Sequence, residues 1–184
     1  MPDSLTRSIA NPPSALLERR FDLPGEDATL AFGGCFAQAI LKVRGANPNV
    51  PGERFPGLQV QLTGDLGAGK TTLVRATLRA LGHAGRVRSP TYTLVEPYSL
   101  ATQAGPLELY HFDLYRFTDP AEWVDAGFRE YFESGAVCLI EWPQRAGGLL
   151  GVPDIEFKLE QEGEGRVLTA RAFSQTGKSC LESC

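Results

Sequence analysis

The chain has 184 residues, 42% hydrophobic and 22% charged, which suits one ordinary globular core and excludes a disordered or fibrous chain. Its formal net charge of -4 gives the average surface no electrostatic footprint for nucleic acid, so DNA is not an expected partner and any RNA contact has to be local or borrowed from another protein. The four cysteines, Cys35, Cys138, Cys180 and Cys184, lack paired metal-ligand spacing and neighbouring histidines, which argues against a zinc site or a disulfide framework and for reduced thiols in a cytoplasm.

Met1 to Arg20 is a polar, proline-bearing leader without the apolar run of a signal peptide, and residues 1–19 are expected to be flexible. No stretch reaches the roughly 18 apolar residues that span a bilayer, so no membrane role is expected. Arg20 to Leu23 reads as a short strand, and Pro24 to Asp27 offers turn and N-cap chemistry before a helix over Ala28 to Val43. Arg44 to Gly57, rich in Gly, Pro and Asn, reads as a surface loop. Leu58 to Leu62 alternates as a strand and runs into a glycine-rich turn, after which Thr72 to Leu81 has helical period. Tyr92 to Leu100 and Leu107 to Tyr115 both read as extended, separated by Ala104-Gly105-Pro106, and suggest a hairpin or two neighbouring strands. Pro120 to Phe132 reads as a helix. Val137 to Ile140 is a buried-strand pattern that delivers Glu141 at its C-terminal edge, where ligands gather in α/β sheets. Ile155 to Glu160 and Arg166 to Ala172 form a second hairpin pattern, and residues 174–184 read as a frayed tail. Residues 20–173 thus make a single α/β domain.

Gly64-Asp65-Leu66-Gly67-Ala68-Gly69-Lys70-Thr71 matches G-x-x-x-x-G-K-[ST] between the strand and the helix that this motif requires. Glycines let backbone N–H groups turn inward around a β-phosphate, and the following helix presents its positive end. Lys70 then neutralises β/γ oxygens and Thr71 ligates Mg²⁺, with Thr72 next in the first helical turn. A fortuitous glycine-rich turn would not explain an eight-residue pattern with both flanks correct. The fold class that follows is a three-layer P-loop NTPase-like fold with a mixed, largely parallel central sheet and antiparallel hairpin additions. Such a loop does not separate kinase, GTPase, ATPase and switch. None of Asn11, Asn47 and Asn49 is followed by lysine, so the Asn-Lys-x-Asp guanine motif of Ras-like GTPases is absent and ATP/ADP is the expected nucleotide.

Ser89 to Glu96 follows the P-loop helix, and the hydroxyls of Thr91 and Thr93 suit a switch segment near a γ-phosphate or equally a plain polar surface. In Tyr110 to Arg116, alternation places His111, Asp113 and Tyr115 on one strand face and Phe112 and Leu114 on the other. Glu141 is placed as a Walker-B-like acid for Mg²⁺. By default Asp113 is a solvated or capping acid, Trp142 a core or edge aromatic, and His111 and His83 structural; Arg116 is open between a carboxylate, a phosphate and a partner.

GDLGAGKTT, SPTYTLVEPY, YHFDLYR and IEWP, in this order and at these separations, resemble the signature blocks of the TsaE (YjeE) family over roughly Phe21 to Phe173. The resemblance implies a bacterial ATPase required for N6-threonylcarbamoyladenosine (t6A) at position 37 of tRNAs reading ANN codons, without itself transferring the group. It implies TsaD and TsaB as partners, bound in an ATP-dependent way and reset by hydrolysis, with tRNA met only through that complex. Carried over by motif, Lys70 and Thr71 hold phosphates and Mg²⁺, and Glu141 is the Mg²⁺-associated acid. Asp113 serves hydrolysis or metal organisation, Trp142 lies near the nucleotide, and Thr29 lies near the adenine. The chain departs from the family pattern in a longer Arg44 to Gly57 segment, in Gln144 where Glu is frequent, and in its extended leader. No strong base for the attacking water is evident, which implies slow hydrolysis in isolation. A small-molecule P-loop kinase is the rival enzyme, although no arginine-rich lid segment stands out, and a nucleotide-sensing scaffold without turnover is the non-enzymatic rival.

Overall fold

The computed structural model describes residues 13–45 and 55–184. Seven strands form one sheet: Leu17–Leu23 (β1), Leu58–Thr63 (β2), Val95–Thr102 (β3), Gly105–Asp113 (β4), Val137–Glu141 (β5), Ile155–Glu162 (β6) and Gly165–Ala172 (β7). Their spatial order is β1-β7-β6-β2-β5-β4-β3. The centre is parallel, β2 running with both β5 and β6 and β4 running with β5. Antiparallel pairs β3/β4, β6/β7 and β1/β7 extend both sides, which is the mixed sheet with hairpin additions that the sequence implies.

Strand parity sorts side chains into two cores. Leu58, Val60, Leu62, Val137, Leu139 and Phe157 face the helices Glu26–Gly45 (α1), Lys70–Ala80 (α2) and Gln175–Glu182 (α5). Phe112, Cys138 and Ile140 point the other way, into a cluster with Trp123 and Phe128 around the short helices Ala121–Asp125 (α3) and Arg129–Glu133 (α4). All five residues of β5 are buried, as expected of a parallel strand covered on both faces. Fully buried side chains such as Phe36 and Ile40 of α1 contribute roughly 1.5–3 kcal/mol each. The two long helices touch closely because a Cβ on Gly33 would stand 2.4 Å from that of Ala76. His111, Asp113 and Glu141 share the parity of the first core and therefore look toward α2.

Four expectations change. The segment 120–132 is two helices, because Gly127 takes φ 68° between them while Trp123 and Phe128 both turn onto Phe112. Tyr92 to Leu94 is a turn before β3, with Leu94 at φ 66°, so the extended stretch begins at Val95. Residues 174–184 are not frayed: Ser174 caps α5 by accepting from Gly177 N at 3.0 Å, and Cys180 and Leu181 are fully buried. β1 begins at Leu17, inside the expected leader, because it pairs with β7 from Ala172 onward. Residues 1–12 of that leader and 46–54 of the expected surface loop lie outside the described residues. All four cysteines are free, and among the described residues no helix is long and apolar enough to cross a membrane.

Candidate functional site

β2 delivers the chain into the loop Gly64 to Gly69, which bends by left-handed dihedrals that side chains disfavour. A Cβ on Gly64 would meet the Leu159 carbonyl oxygen at 2.4 Å, and one on Gly69 would meet Arg166 Nε at 2.7 Å. α2 starts at Lys70 with Gly69 as a cap that has no side chain to offer, so the first-turn N–H groups remain open to an anion.

Lys70 is almost completely buried, and its Nζ donates to the carbonyls of Gly64 at 2.6 Å and Asp65 at 2.8 Å. The ammonium also stands 4.1 Å from the centre of the Trp142 ring. Burial lowers its pKa, opposed by the charges of Glu141, Asp113 and Asp65. Thr71 Oγ1 donates to Glu141 Oε1 at 2.8 Å and lies 3.1 Å from Oε2. Glu141 arrives on β5 directly beside Leu62 of β2 and Asp113 of β4, so three adjacent strands bring the loop and both acids to one sheet edge. Asp113 in turn organises the segment after α2: its Oδ2 accepts from the Ser89 hydroxyl and from Thr91 Oγ1 at 3.2 Å, and its Oδ1 from Tyr115 N at 3.0 Å.

These groups surround one open cavity of about 290 Å³. Of the residues singled out in the sequence, Leu66, Gly67, Gly69, Lys70, Thr71, Thr72, Thr91, Asp113, Glu141 and Trp142 line it. Gly64, Asp65 and Ala68 form the far side of the loop, against Lys158 to Gln161. Thr93 faces a neighbouring hollow that also holds Arg86 and Arg88. Thr29 is fully buried on α1 with its hydroxyl 3.4 Å from the Gly25 carbonyl, and it does not line the cavity. Trp142, directly after Glu141, has left-handed dihedrals (φ 59°, ψ 47°) and opens a 3₁₀ turn over Pro143–Ala146.

The profile of the family described as Threonylcarbamoyl adenosine biosynthesis protein TsaE matches residues 23–169. The chain belongs to the TsaE family. It is 40% identical over 161 residues to the tRNA threonylcarbamoyladenosine biosynthesis protein TsaE of Haemophilus influenzae, covering 88% of this chain and 94% of that one. A TsaE of the same description from Bacillus subtilis is 46% identical over 87 residues, which is 47% of this chain and 51% of the relative. The crystal structure of Bacillus subtilis YdiB superposes with a TM-score of 0.65 at 26% identity, over 90% of this chain and 93% of that one.

Within this TsaE-family site, four contributors lie outside the residues that the motifs single out. Ser89 and Tyr115 sit inside the quoted blocks, but nothing local distinguishes their hydroxyl and ring from surface groups; Tyr115 packs tilted against Trp142 at 5.0 Å between centroids and 56° between planes. Arg166 lines the cavity from β7, a strand carrying no motif, and only the sheet order brings it over Gly69. By default His111 reads as structural, yet its Nε2 lies 2.8 Å from Glu141 Oε1; strand parity shared with Asp113 is the signal the sequence offers.

Proposed function

We propose that this chain is a Mg²⁺-dependent ATPase that supports t6A formation on tRNA by binding and resetting a TsaB–TsaD complex, without transferring the threonylcarbamoyl group itself. The observation that carries this reading is the Thr71–Glu141 hydrogen bond beside a buried Lys70 that has no carboxylate partner within ion-pair distance among the described residues. Thr71 donates its hydroxyl hydrogen bond to Glu141, which leaves its oxygen lone pairs free for a cation. One carboxylate and one hydroxyl suit Mg²⁺, which keeps waters and takes phosphate oxygens as further ligands. When bound, the ion would neutralise charge on the β- and γ-oxygens.

The chain's own groups do the remaining work. The open N–H groups at the start of α2 hold phosphate oxygens, and Lys70 exchanges the Gly64 and Asp65 carbonyls for them, an exchange that gives its buried charge an anionic partner. Asp113 ties the half-buried Ser89–Thr91 segment to the cavity wall, so occupancy of the cavity is coupled to that segment and to the exposed Tyr92 and Thr93 that follow it. Asp113 accepts from three donors and Glu141 from two, so among the described residues neither cavity acid is left without hydrogen-bond partners, which fits slow hydrolysis that a partner accelerates.

Reconstitution of t6A formation with TsaB, TsaD and tRNA tests the reading. Multiple turnover is expected with the chain and ATP, and a stall near one turnover without it or with the Lys70→Ala variant. Equal turnover in all three arms would remove the proposed role, and absence of Mg²⁺-assisted adenine nucleotide binding by calorimetry would remove the ATPase.

A further inference from the structure

His111 does not line the cavity, yet it is bonded to the acid at its centre. It lies fully buried on β4, two residues before Asp113, facing α2. Its Nε2 is 2.8 Å from Glu141 Oε1, the same oxygen that accepts the Thr71 hydroxyl at 2.8 Å. An ionised carboxylate only accepts hydrogen bonds, so Nε2 carries the hydrogen. Nδ1 is buried without a hydrogen-bond partner among the described residues.

An orphaned buried polar atom is a cost that an apolar side chain at the same place would avoid. Here one nitrogen is left orphaned and the other spends its single bond on Glu141. We propose that His111 is a positioning residue for the Mg²⁺ acid: its Nε2–H pins Oε1 of Glu141, fixing the carboxylate so that Oε2, with one longer contact to Thr71, stays available to the cation and its waters. The inference rests on the Mg²⁺-nucleotide reading of the same cavity. Partners that orient a metal-binding side chain in this way change metal affinity by roughly 10–100-fold when removed.

The test is a Mg²⁺ titration of ATP binding by the full chain, followed by calorimetry and by Trp142 emission, in wild type, His111→Leu and His111→Gln. The Leu variant is expected to need about 10–100-fold more Mg²⁺ for half-maximal effect. The Gln variant, whose Nε2 can still donate to Oε1, is expected to return most of that loss, and ATP affinity without Mg²⁺ is expected to be the same in all three. An unchanged Mg²⁺ requirement in the Leu variant, or an equal loss of Mg²⁺-free affinity, overturns the positioning role and leaves the ATPase reading standing. A wild-type chain whose ATP affinity ignores Mg²⁺ overturns both. Should the Leu variant not fold, nitrogen NMR of the wild-type ring decides, since His83 and His111 are the two histidines of the chain. A protonated Nε2 supports the proposal, and a bare Nε2 overturns it.

Discussion

Thr71 and Glu141, separated by 70 residues of sequence, meet at 2.8 Å where the glycine-rich loop faces the end of β5. Replacing Glu141 with Gln keeps an acceptor for the Thr71 hydroxyl and removes the negative charge. ATP hydrolysis in the presence of TsaB and TsaD is expected to fall by about 100-fold, the scale of a lost contribution to a metal site. ATP affinity without Mg²⁺ is expected to stay within a few-fold. Single-turnover phosphate release and calorimetry check the two halves, and an unchanged rate would take Glu141 out of the chemistry.

Lys70 sits where burial holds its pKa below the ordinary 10.5. A cation with a lowered folded-state pKa destabilises the fold while both states are charged, and that cost fades as pH rises from the folded value toward 10.5. The Lys70→Met variant is therefore expected to lose nucleotide binding and yet gain about 0.5–2 kcal/mol of stability near neutral pH, an exchange common at functional sites. The gain is expected to shrink toward pH 10. Thermal melts at both pH values check it; a variant less stable by the same amount at each would show that the Gly64 and Asp65 hydrogen bonds outweigh the burial of charge.

Of the two tryptophans, Trp142 lines the cavity beside Lys70 and Trp123 is buried in the second core. Nucleotide binding is expected to change the tryptophan emission through Trp142. The change should vanish in Trp142→Phe and persist in Trp123→Phe. A signal retained by Trp142→Phe would place the nucleotide elsewhere.

Gly64 and Gly67 both have positive φ, but only Gly64 is crowded, by the Leu159 carbonyl. Gly67→Ala meets nothing within 4 Å and is expected to cost about 1–2 kcal/mol from its dihedral alone. Gly64→Ala adds a backbone collision that only a shift of β6 or of the loop can relieve, so its loss is expected to be the larger by denaturant titration. Equal losses would mean that the loop and β6 separate easily.

On α5, Leu181 is fully buried, and Leu181→Ala is expected to cost about 2–5 kcal/mol by the same titration. A loss below 1 kcal/mol would mark the helix as an accessory of the fold.

What could be read from the chain was what it encodes locally. The eight residues from Gly64 to Thr71 carry their own loop chemistry, and alternation along Leu58–Leu62 and through His111 and Asp113 predicts which side chains share a face. Arg166 was illegible because its place over Gly69 depends on β7 lying between β6 and β1, pairings across more than a hundred residues in the case of β1. α5 was hidden for a related reason: Gln175 to Glu182 includes a glycine and a serine with weak helix preference, and burial of Cys180 and Leu181 supplies what propensity does not. The break at Gly127 and the turn at Tyr92 to Leu94 depend on single positive dihedrals that period counting does not detect.

Neighbouring residues of a strand normally look to opposite sides of a sheet, so an acid and the residue after it should serve different rooms of the protein. The left-handed step at Trp142 cancels that rule at the one point where β5 ends, and carboxylate and indole open on the same space. The handedness of one peptide unit therefore couples the carboxylate bonded to Thr71 to the indole that shelters a lysine. A β-branched residue at 142, driven back to the extended region, would redirect the chain and part the two even if every other atom of the loop stayed in place.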